Sequence, residues 1–139
     1  MLDGLPTTSF KTGEAAYPWL QINMRRIYLV TKVAILSGEQ ALMNLEVRIG
    51  MDDINNEEMR GVEGNKRITG NVLCGVFYGP TLIAGQWVEV DCGRSRGLKG
   101  KRITLQLLER FMGNNPLEIS SLEVFGWGRV CGDADPYAY

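Results

Sequence analysis

The chain has 139 residues, enough for one domain with its own hydrophobic core and too few for two ordinary domains. Its 15 basic and 16 acidic residues leave a net charge of −1, which argues against wholesale electrostatic capture of nucleic acid or of a membrane surface. Histidine is absent, which removes the commonest general base near neutral pH and the commonest metal ligand, so many classes of enzyme are disfavoured.

Short apolar segments alternate with turn-forming residues along the whole chain. Residues 1–17 are rich in Gly, Pro, Thr and Ser and are predicted to be a loop. The clearest strand is 45–50, where Leu45, Val47 and Ile49 alternate with polar residues. Further strands are predicted over residues 17–24, 27–35, 71–78, 86–92, 102–107 and 117–126. Between them lie a turn at 37–40, a long surface excursion at 51–67, a basic loop at 93–100 and a turn at 113–116. The pattern predicts an all-β chain folded as an antiparallel β-sandwich of the jelly-roll type.

The basic loop is the strongest charge cluster in the sequence. Arginine forks pair bidentately with sulfate, phosphate or carboxylate, so the loop suits an acidic glycan or headgroup. The alternative is an ordinary solvated hairpin, because charge-rich turns are common on protein surfaces. The cations in question are Arg94, Arg96, Lys99, Lys101 and Arg102.

Carboxylates and tryptophans offer weaker signals. The acidic residues between 52 and 58 lack the ligand spacing of a calcium-binding hand and are predicted to be solvated. No spacing among Glu89, Asp91, Glu109 and Glu118 selects a glycosidase pair, so an enzyme is not predicted. Trp19 and Trp87 fall inside predicted strands and are expected to be core or interface anchors, whereas Trp127 is expected to be exposed.

Eight motifs occur in an order that resembles the F-type lectins, the eel-fucolectin-like group related to discoidin and coagulation factor 5/8 C-type domains. They are LDG (2–4), SFKT (9–12), PWLQINM (18–24), LEVRIG (45–50), NVLCG (71–75), VEVDC (88–92), GKRITLQ (100–106) and LEVFG (122–126). The resemblance implies a galactose-binding-domain-like jelly roll over residues 1–128, a tail at 129–139 and a further strand before the first motif. It also implies a secreted protein, fucose recognition by loops at one end and a structural calcium ion.

The residues that bind fucose in that family are not retained in this sequence. Lys11 stands at the family's histidine, and Gly38 and Ala41 stand near its two arginines. Lysine and glycine do not reproduce an imidazole acceptor and two guanidinium forks, so sugar hydroxyls would go unpaired at about 1–3 kcal/mol each. The family's fucose pocket is therefore predicted to be lost. The residues expected to bind another glycan or a protein partner are Lys11, Ser37, Gly38, Glu39, Arg94, Arg96 and Lys99.

The cysteines show no C-x-x-C spacing, so neither a zinc site nor a thioredoxin-type redox pair is indicated. By resemblance, Cys74 and Cys92 match a family disulfide whose loop closure is worth about 3 kcal/mol; the alternative is two buried thiols. Cys131 has no family partner and either forms an intermolecular bridge or stays an unpaired thiol. A second family disulfide is absent, since Ser9 and Ser120 stand at its two positions.

The implied calcium site is also altered. Asp3 and neighbouring carbonyls remain as oxygen ligands, but Ser121 replaces an expected carboxylate, so calcium affinity is predicted to be weakened or lost.

Two function classes follow from these observations. The first is a non-catalytic, extracellular, lectin-like recognition module that binds a glycan or an extracellular protein, with no nucleic acid and no membrane insertion. The second is a structural or assembly component of an extracellular coat or matrix, in which a sheet face or Cys131 joins subunits.

Overall fold

The computed structural model describes residues 10–12, 17–53, 67–93, 97–108 and 116–127. Every regular element in these ranges is a β-strand, and every pairing is antiparallel, as predicted. The strands are β1 (Phe10–Lys11), β2 (Trp19–Ser37), β3 (Leu45–Gly50), β4 (Val72–Phe77), β5 (Trp87–Asp91), β6 (Leu98–Leu107) and β7 (Glu118–Trp127). Within the same ranges, no helix is long and apolar enough to cross a membrane. Asp3, Ser9, Arg94, Arg96, Cys131 and the predicted boundary at 128 lie outside the described residues.

The long strand β2 belongs to both layers of the sandwich. Its first part, residues 19–23, pairs with β6, which is followed in the sheet by β3 and then β4. Its last part, residues 32–36, lies between β5 and β7, and β1 forms the outer edge beside β7. The strands predicted over 17–24 and 27–35 are confirmed as strand residues, but they form one strand and not two, because β6 pairs with both parts.

The break in β2 is a bend at residues 24–27. The register with β6 shifts between Asn23 and Tyr28, and Arg25 has a φ of 72°. The Asn23 side-chain oxygen accepts a hydrogen bond of 2.8 Å from the Arg25 backbone N–H, a local contact that stabilises the turn. The bend returns the chain toward the end of the sandwich at which β2 began.

The core is filled by alternate side chains of both layers. Val33 and Ile35 from β2, Val47 and Ile49 from β3 and Leu105 from β6 are completely buried. Cys74 of β4 and Cys92, which follows β5, form a disulfide that bonds one layer to the other, so the predicted pairing is confirmed.

One charged residue of β3 is buried despite facing away from this core. Glu46 is 1% exposed because the segment from Arg67 to Asn71 returns over the outer face of β3 and β6. Its carboxylate accepts hydrogen bonds from Arg48 Nε at 3.0 Å and from Arg67 Nη2. The hydrogen bond and the charge of Glu46 raise the pKa of Arg67 above its ordinary value. The alternation predicted for this strand is correct, but its polar face is covered.

The connections of the sandwich gather at two ends. We call the first the cleft end; it holds the β2–β3 loop (residues 38–44) and the β4–β5 loop (residues 78–86). We call the second the bend end; it holds the bend of β2, the start of β6 and the end of β7. Two sequence predictions need correction here. A short strand, β1, lies within the predicted loop 1–17, and β6 begins at Leu98 inside the predicted basic loop.

Candidate functional site

The two loops of the cleft end are fixed to each other by hydrogen bonds. The Leu42 backbone N–H donates to Thr81 Oγ1 at 2.9 Å, and the Thr81 N–H donates back to the Leu42 carbonyl at 3.0 Å. At the base of the loops, the Gln86 N–H donates to Ser37 Oγ and the Ser37 N–H donates to the Gln86 carbonyl, both at 2.9 Å. The buried Ser37 is therefore a structural clamp that holds the second loop beside the first.

The clamped loops leave an open cleft of about 120 Å³ between them. Glu39, Gln40 and Ala41 line one wall and residues 81–84 line the other. Leu82 is 83% exposed and Ile83 is 68% exposed, so the second wall has an apolar rim. Closed ligand pockets are usually about 300–1,000 Å³, so this cleft suits one small ring or side chain at the surface.

Glu118 ties the first wall of the cleft to β7. One oxygen of its carboxylate accepts hydrogen bonds from the backbone N–H groups of Glu39 at 3.2 Å and Gln40 at 3.3 Å. The Glu118 side chain also lies over Gly38, where an added Cβ would come within 2.6 Å of Glu118 Cγ. Lys11 is the direct cross-strand neighbour of Glu118 in the β1–β7 pair.

The predicted residues Lys11, Ser37, Gly38 and Glu39 are thus brought together at one end, and Glu118 joins them. Sequence reasoning considered Glu118 only as a carboxylate of a glycosidase pair. No local pattern signals its position, because the contact depends on β7 lying between β1 and β2. That these residues bind a ligand stays a prediction.

Lys99 does not share this site. It pairs with Leu29, which lies eight residues before Ser37 along β2, a separation of about 25 Å at the usual rise of a strand. Lys99 is therefore at the bend end, and the expectation that it lies beside Lys11 and Glu39 is wrong. Arg102, another cation of the predicted cluster, is used structurally, since it donates to the Met51 carbonyl at 2.6 Å and lies 4.0 Å from an oxygen of Asp53.

Two of the three tryptophans are half-exposed. Trp127 is 51% exposed, as predicted, at the end of β7. Trp87 is 48% exposed because it projects from β5 on the face opposite the buried Val88 and Val90. The prediction that Trp87 is a core residue is wrong, whereas its role as an interface anchor stays open.

The described residues contain no cluster of the acidic side chains that calcium favours. Within the part of the chain that the structure covers, no three side chains of His, Cys, Asp or Glu converge on a possible metal position. Ser121 lies in β7 opposite Leu36 and offers only a hydroxyl. A calcium role for Asp3 stays a prediction from the resemblance.

Comparison with known proteins places the fold. No protein-family model and no curated protein matches the chain. An F-type lectin (fucolectin) from striped bass (Morone saxatilis) serum matches with a TM-score of 0.64 and 22% identity over 89% of this chain. A fucose-binding module from Streptococcus pneumoniae matches at 0.53 and 18% over 86% of this chain and 72% of its own. Module CBM32-1 of a family 31 glycoside hydrolase from Clostridium perfringens matches at 0.57 and 14%, over 84% and 75%.

These likenesses give the fold of the chain: an F-type-lectin-like, galactose-binding-like β-sandwich. The chain spans only 38% of the length of the striped bass lectin. By their names, the neighbours are a fucolectin, a fucose-binding module and a module of a glycoside hydrolase.

Proposed function

We propose that this galactose-binding-like sandwich is a non-catalytic, extracellular, lectin-like module that binds a glycan other than fucose in the cleft between residues 38–44 and 78–86. The observation that carries the proposal is the cleft itself. Its walls are held in place by the protein and combine polar groups of Glu39 and Gln40 with the exposed apolar side chains of Leu82 and Ile83. A sugar ring presents the matching chemistry, with hydroxyls at its edge and C–H groups on its faces.

The fold supports glycans as the class of ligand. The striped bass protein is named a fucolectin and the pneumococcal one a fucose-binding module. The disulfide between Cys74 and Cys92 supports an oxidising, extracellular setting, because such bonds are rare in reducing compartments.

The geometry around Gly38 supports the loss of a fucose site of the family kind. The space that a side chain at position 38 would use is filled by Glu118. An arginine there would have to displace a carboxylate that already accepts two backbone hydrogen bonds. Lys11 is exposed beside Glu118 and offers donors only, so the acceptor of a neutral imidazole is not replaced.

A glycan array probed with calcium and again with chelator tests the proposal. We expect binding to a non-fucosylated glycan that chelator does not abolish. Titration with that glycan should then show about a tenfold weaker affinity for Glu39→Gln or Gln40→Ala, the loss of one or two good hydrogen bonds. The matched control is Glu123→Gln, an exposed carboxylate on the outer face of β7, which should leave the affinity unchanged.

Two array results would count against the proposal. Fucose-dependent binding would show that the ancestral pocket survives. Binding that Glu39→Gln and Gln40→Ala leave untouched would place the glycan elsewhere.

A second function, assembly into a larger structure, is favoured by one observation. The exposed apolar side chains around the β4–β5 loop form a patch of the kind that marks protein contacts. Its members are Tyr78, Leu82, Ile83 and Trp87. If this patch joins subunits, light scattering should show oligomers that Leu82→Ser and Ile83→Ser together convert to monomers. A non-reducing gel of the Cys131→Ser variant tests separately whether that cysteine bridges chains.

A further inference from the structure

We propose that the bend end carries a second binding site, selective for anionic saccharides, in which Trp127 contacts a sugar ring and Lys99, Arg25 and Arg26 hold its sulfate or carboxylate groups. This site is separate from the cleft and stands whether or not the cleft binds a glycan. It gives a role to Lys99, a member of the predicted basic cluster that lies away from the cleft.

The floor of the site is a row of three residues on neighbouring strands, namely Lys99, Leu29 and Trp127. Leu29 of β2 is the direct cross-strand partner of Lys99 in β6 and of Trp127 in β7. Directly opposed residues of antiparallel strands project to the same face. Val30 is buried in the core and Tyr28 packs against it, so Leu29 and its two partners face outward. Two strand spacings of about 4.8 Å place Lys99 and Trp127 about 10 Å apart, a span that a disaccharide bridges.

The bend of β2 supplies the arginines. Arg25 and Arg26 are both exposed, and the positive φ of Arg25 turns the chain out of the regular pleat. Tyr28 pairs with Gly100, the neighbour of Lys99, and lies only two residues after Arg26. At the usual rise of a strand, the backbone of Arg25 and Arg26 lies within about 10 Å of the row that contains Lys99. Long arginine side chains can span this distance.

The cations at the bend end have no ion-pair partner among the described residues. Among the described residues, Lys99, Arg25 and Arg26 form no side-chain ion pair, whereas Lys32 pairs with Glu89 at 3.4 Å. The Asp91 carboxylate accepts a hydrogen bond from the backbone N–H of Gly93 at 2.6 Å and forms no ion pair with these three cations. Three exposed cations without an ion pair among the described residues make a local positive potential that attracts anions, even on a chain of net charge −1.

The combination of one exposed indole with these exposed cations favours a charged sugar over other polyanions. The flat apolar face of Trp127 fits the C–H face of a sugar ring, and arginine forks match sulfate and carboxylate oxygens. Nonspecific nucleic acid binding instead needs cations that follow several phosphates, and the chain as a whole is not basic.

Titration of the whole chain with a heparin-derived hexasaccharide, at low and at high NaCl, tests the site. We expect Lys99→Gln, Arg25→Gly and Arg26→Gln each to weaken binding about fivefold to tenfold and to flatten its salt dependence. Glycine is chosen at position 25 because it adopts the positive φ without strain. Trp127→Ala should weaken binding about tenfold at both salt concentrations, because its contact is not ionic.

Lys32→Ala is the matched control. It removes the same formal charge from the same face of the sandwich, but this lysine is already paired with Glu89 and should change the affinity less than about twofold. The melting temperature of each variant shows that it is folded.

Further probes identify the anion and decide the proposal. A desulfated heparin fragment and a hyaluronan fragment distinguish sulfate from carboxylate, and binding of at least one charged saccharide is expected. Equal affinity for single-stranded DNA of the same charge would overturn the assignment to a saccharide. Heparin affinity that Lys99→Gln and Trp127→Ala leave unchanged would overturn the location, whatever the glycan array shows for the cleft.

Discussion

The cleft end and the bend end of the sandwich differ in how their polar groups are held. At the cleft end, backbone N–H groups of the loops donate to side chains of the protein itself. Glu118 accepts hydrogen bonds from the backbone of Glu39 and Gln40, and Ser37 and Gln86 clamp the base. At the bend end, Lys99 and Arg26 form no ion pair with any described residue. A fixed rim selects a ligand by its shape, whereas exposed cations select it by charge. Salt should therefore weaken binding at the bend end and leave binding at the cleft end nearly unchanged.

One substitution should weaken both ends at once, because it removes a residue on which both ends depend. Glu46→Ala deletes a carboxylate that is 1% exposed and leaves Arg48 partly buried without its anion. We expect the free energy of unfolding to fall by about 3–5 kcal/mol, measured by chemical denaturation. Both ends should then lose binding together as the temperature rises. Glu46→Gln, which keeps an acceptor, should cost less, and a loss below about 1 kcal/mol for Glu46→Ala would contradict the role of the buried carboxylate.

The second substitution separates the two ends. Gly126 precedes Trp127, has a φ of 153°, and an added Cβ would lie 1.9 Å from the Leu29 carbonyl oxygen. Gly126→Ala must push β7 away from β2, so we expect a loss of about 3 kcal/mol in unfolding free energy. Heparin binding at the bend end should fall while the cleft end keeps its affinity.

The matched control for this variant lies at the cleft end. Gly85 has a φ of 73° but nothing within 4 Å of an added Cβ, so Gly85→Ala should cost only the left-handed penalty of about 1–2 kcal/mol. Equal losses for the two alanine variants, read from thermal unfolding, would show that crowding against Leu29 is not what makes position 126 sensitive.

The third substitution affects the cleft end alone. Glu118→Ala removes the acceptor of two backbone N–H groups, which are partly solvated, so we expect a loss of about 1–2 kcal/mol. Hydrogen exchange should quicken at the amides of Glu39 and Gln40, and heparin binding should not change. The control is Glu123→Ala on the exposed face of the same strand. Unchanged exchange at residues 39 and 40 would mean that Glu118 does not hold the loop.

The sequence alone predicted those features of the fold that depend on local residue patterns. The alternation of Leu45, Val47 and Ile49 predicted β3 and its buried face, and the succession of such segments gave the all-β class. The partnership of Cys74 with Cys92 came from resemblance to a family, since spacing alone left two buried thiols as an alternative.

What sequence reasoning missed depends on pairing between distant segments. The polar pair Arg25 and Arg26 has the composition of a turn, so one bent strand was predicted as two. The basic residues at 94–102 were assigned to the same end as Lys11 because nothing local fixes register. The pairing of Lys99 with Leu29 places Lys99 at the bend end. Similarly, the burial of Glu46 follows from the return of Arg67 over it, 21 residues later.

The smallest expected effect concerns the face that runs between the two ends. Lys32 Nζ lies 3.4 Å from an oxygen of Glu89 and 4.6 Å from the centre of the Phe125 ring, but the Lys32 side chain is 31% exposed and that of Glu89 is 61% exposed. A double-mutant cycle of Lys32→Ala and Glu89→Ala should therefore give a coupling of about 0.5 kcal/mol or less, which high salt removes. Neither variant should change affinity at the cleft or at the bend end by more than about twofold, because a paired cation adds little local potential. A coupling several times larger, or a loss of heparin binding, would mean that this face belongs to the anionic site and that the two ends are less independent than their geometry indicates.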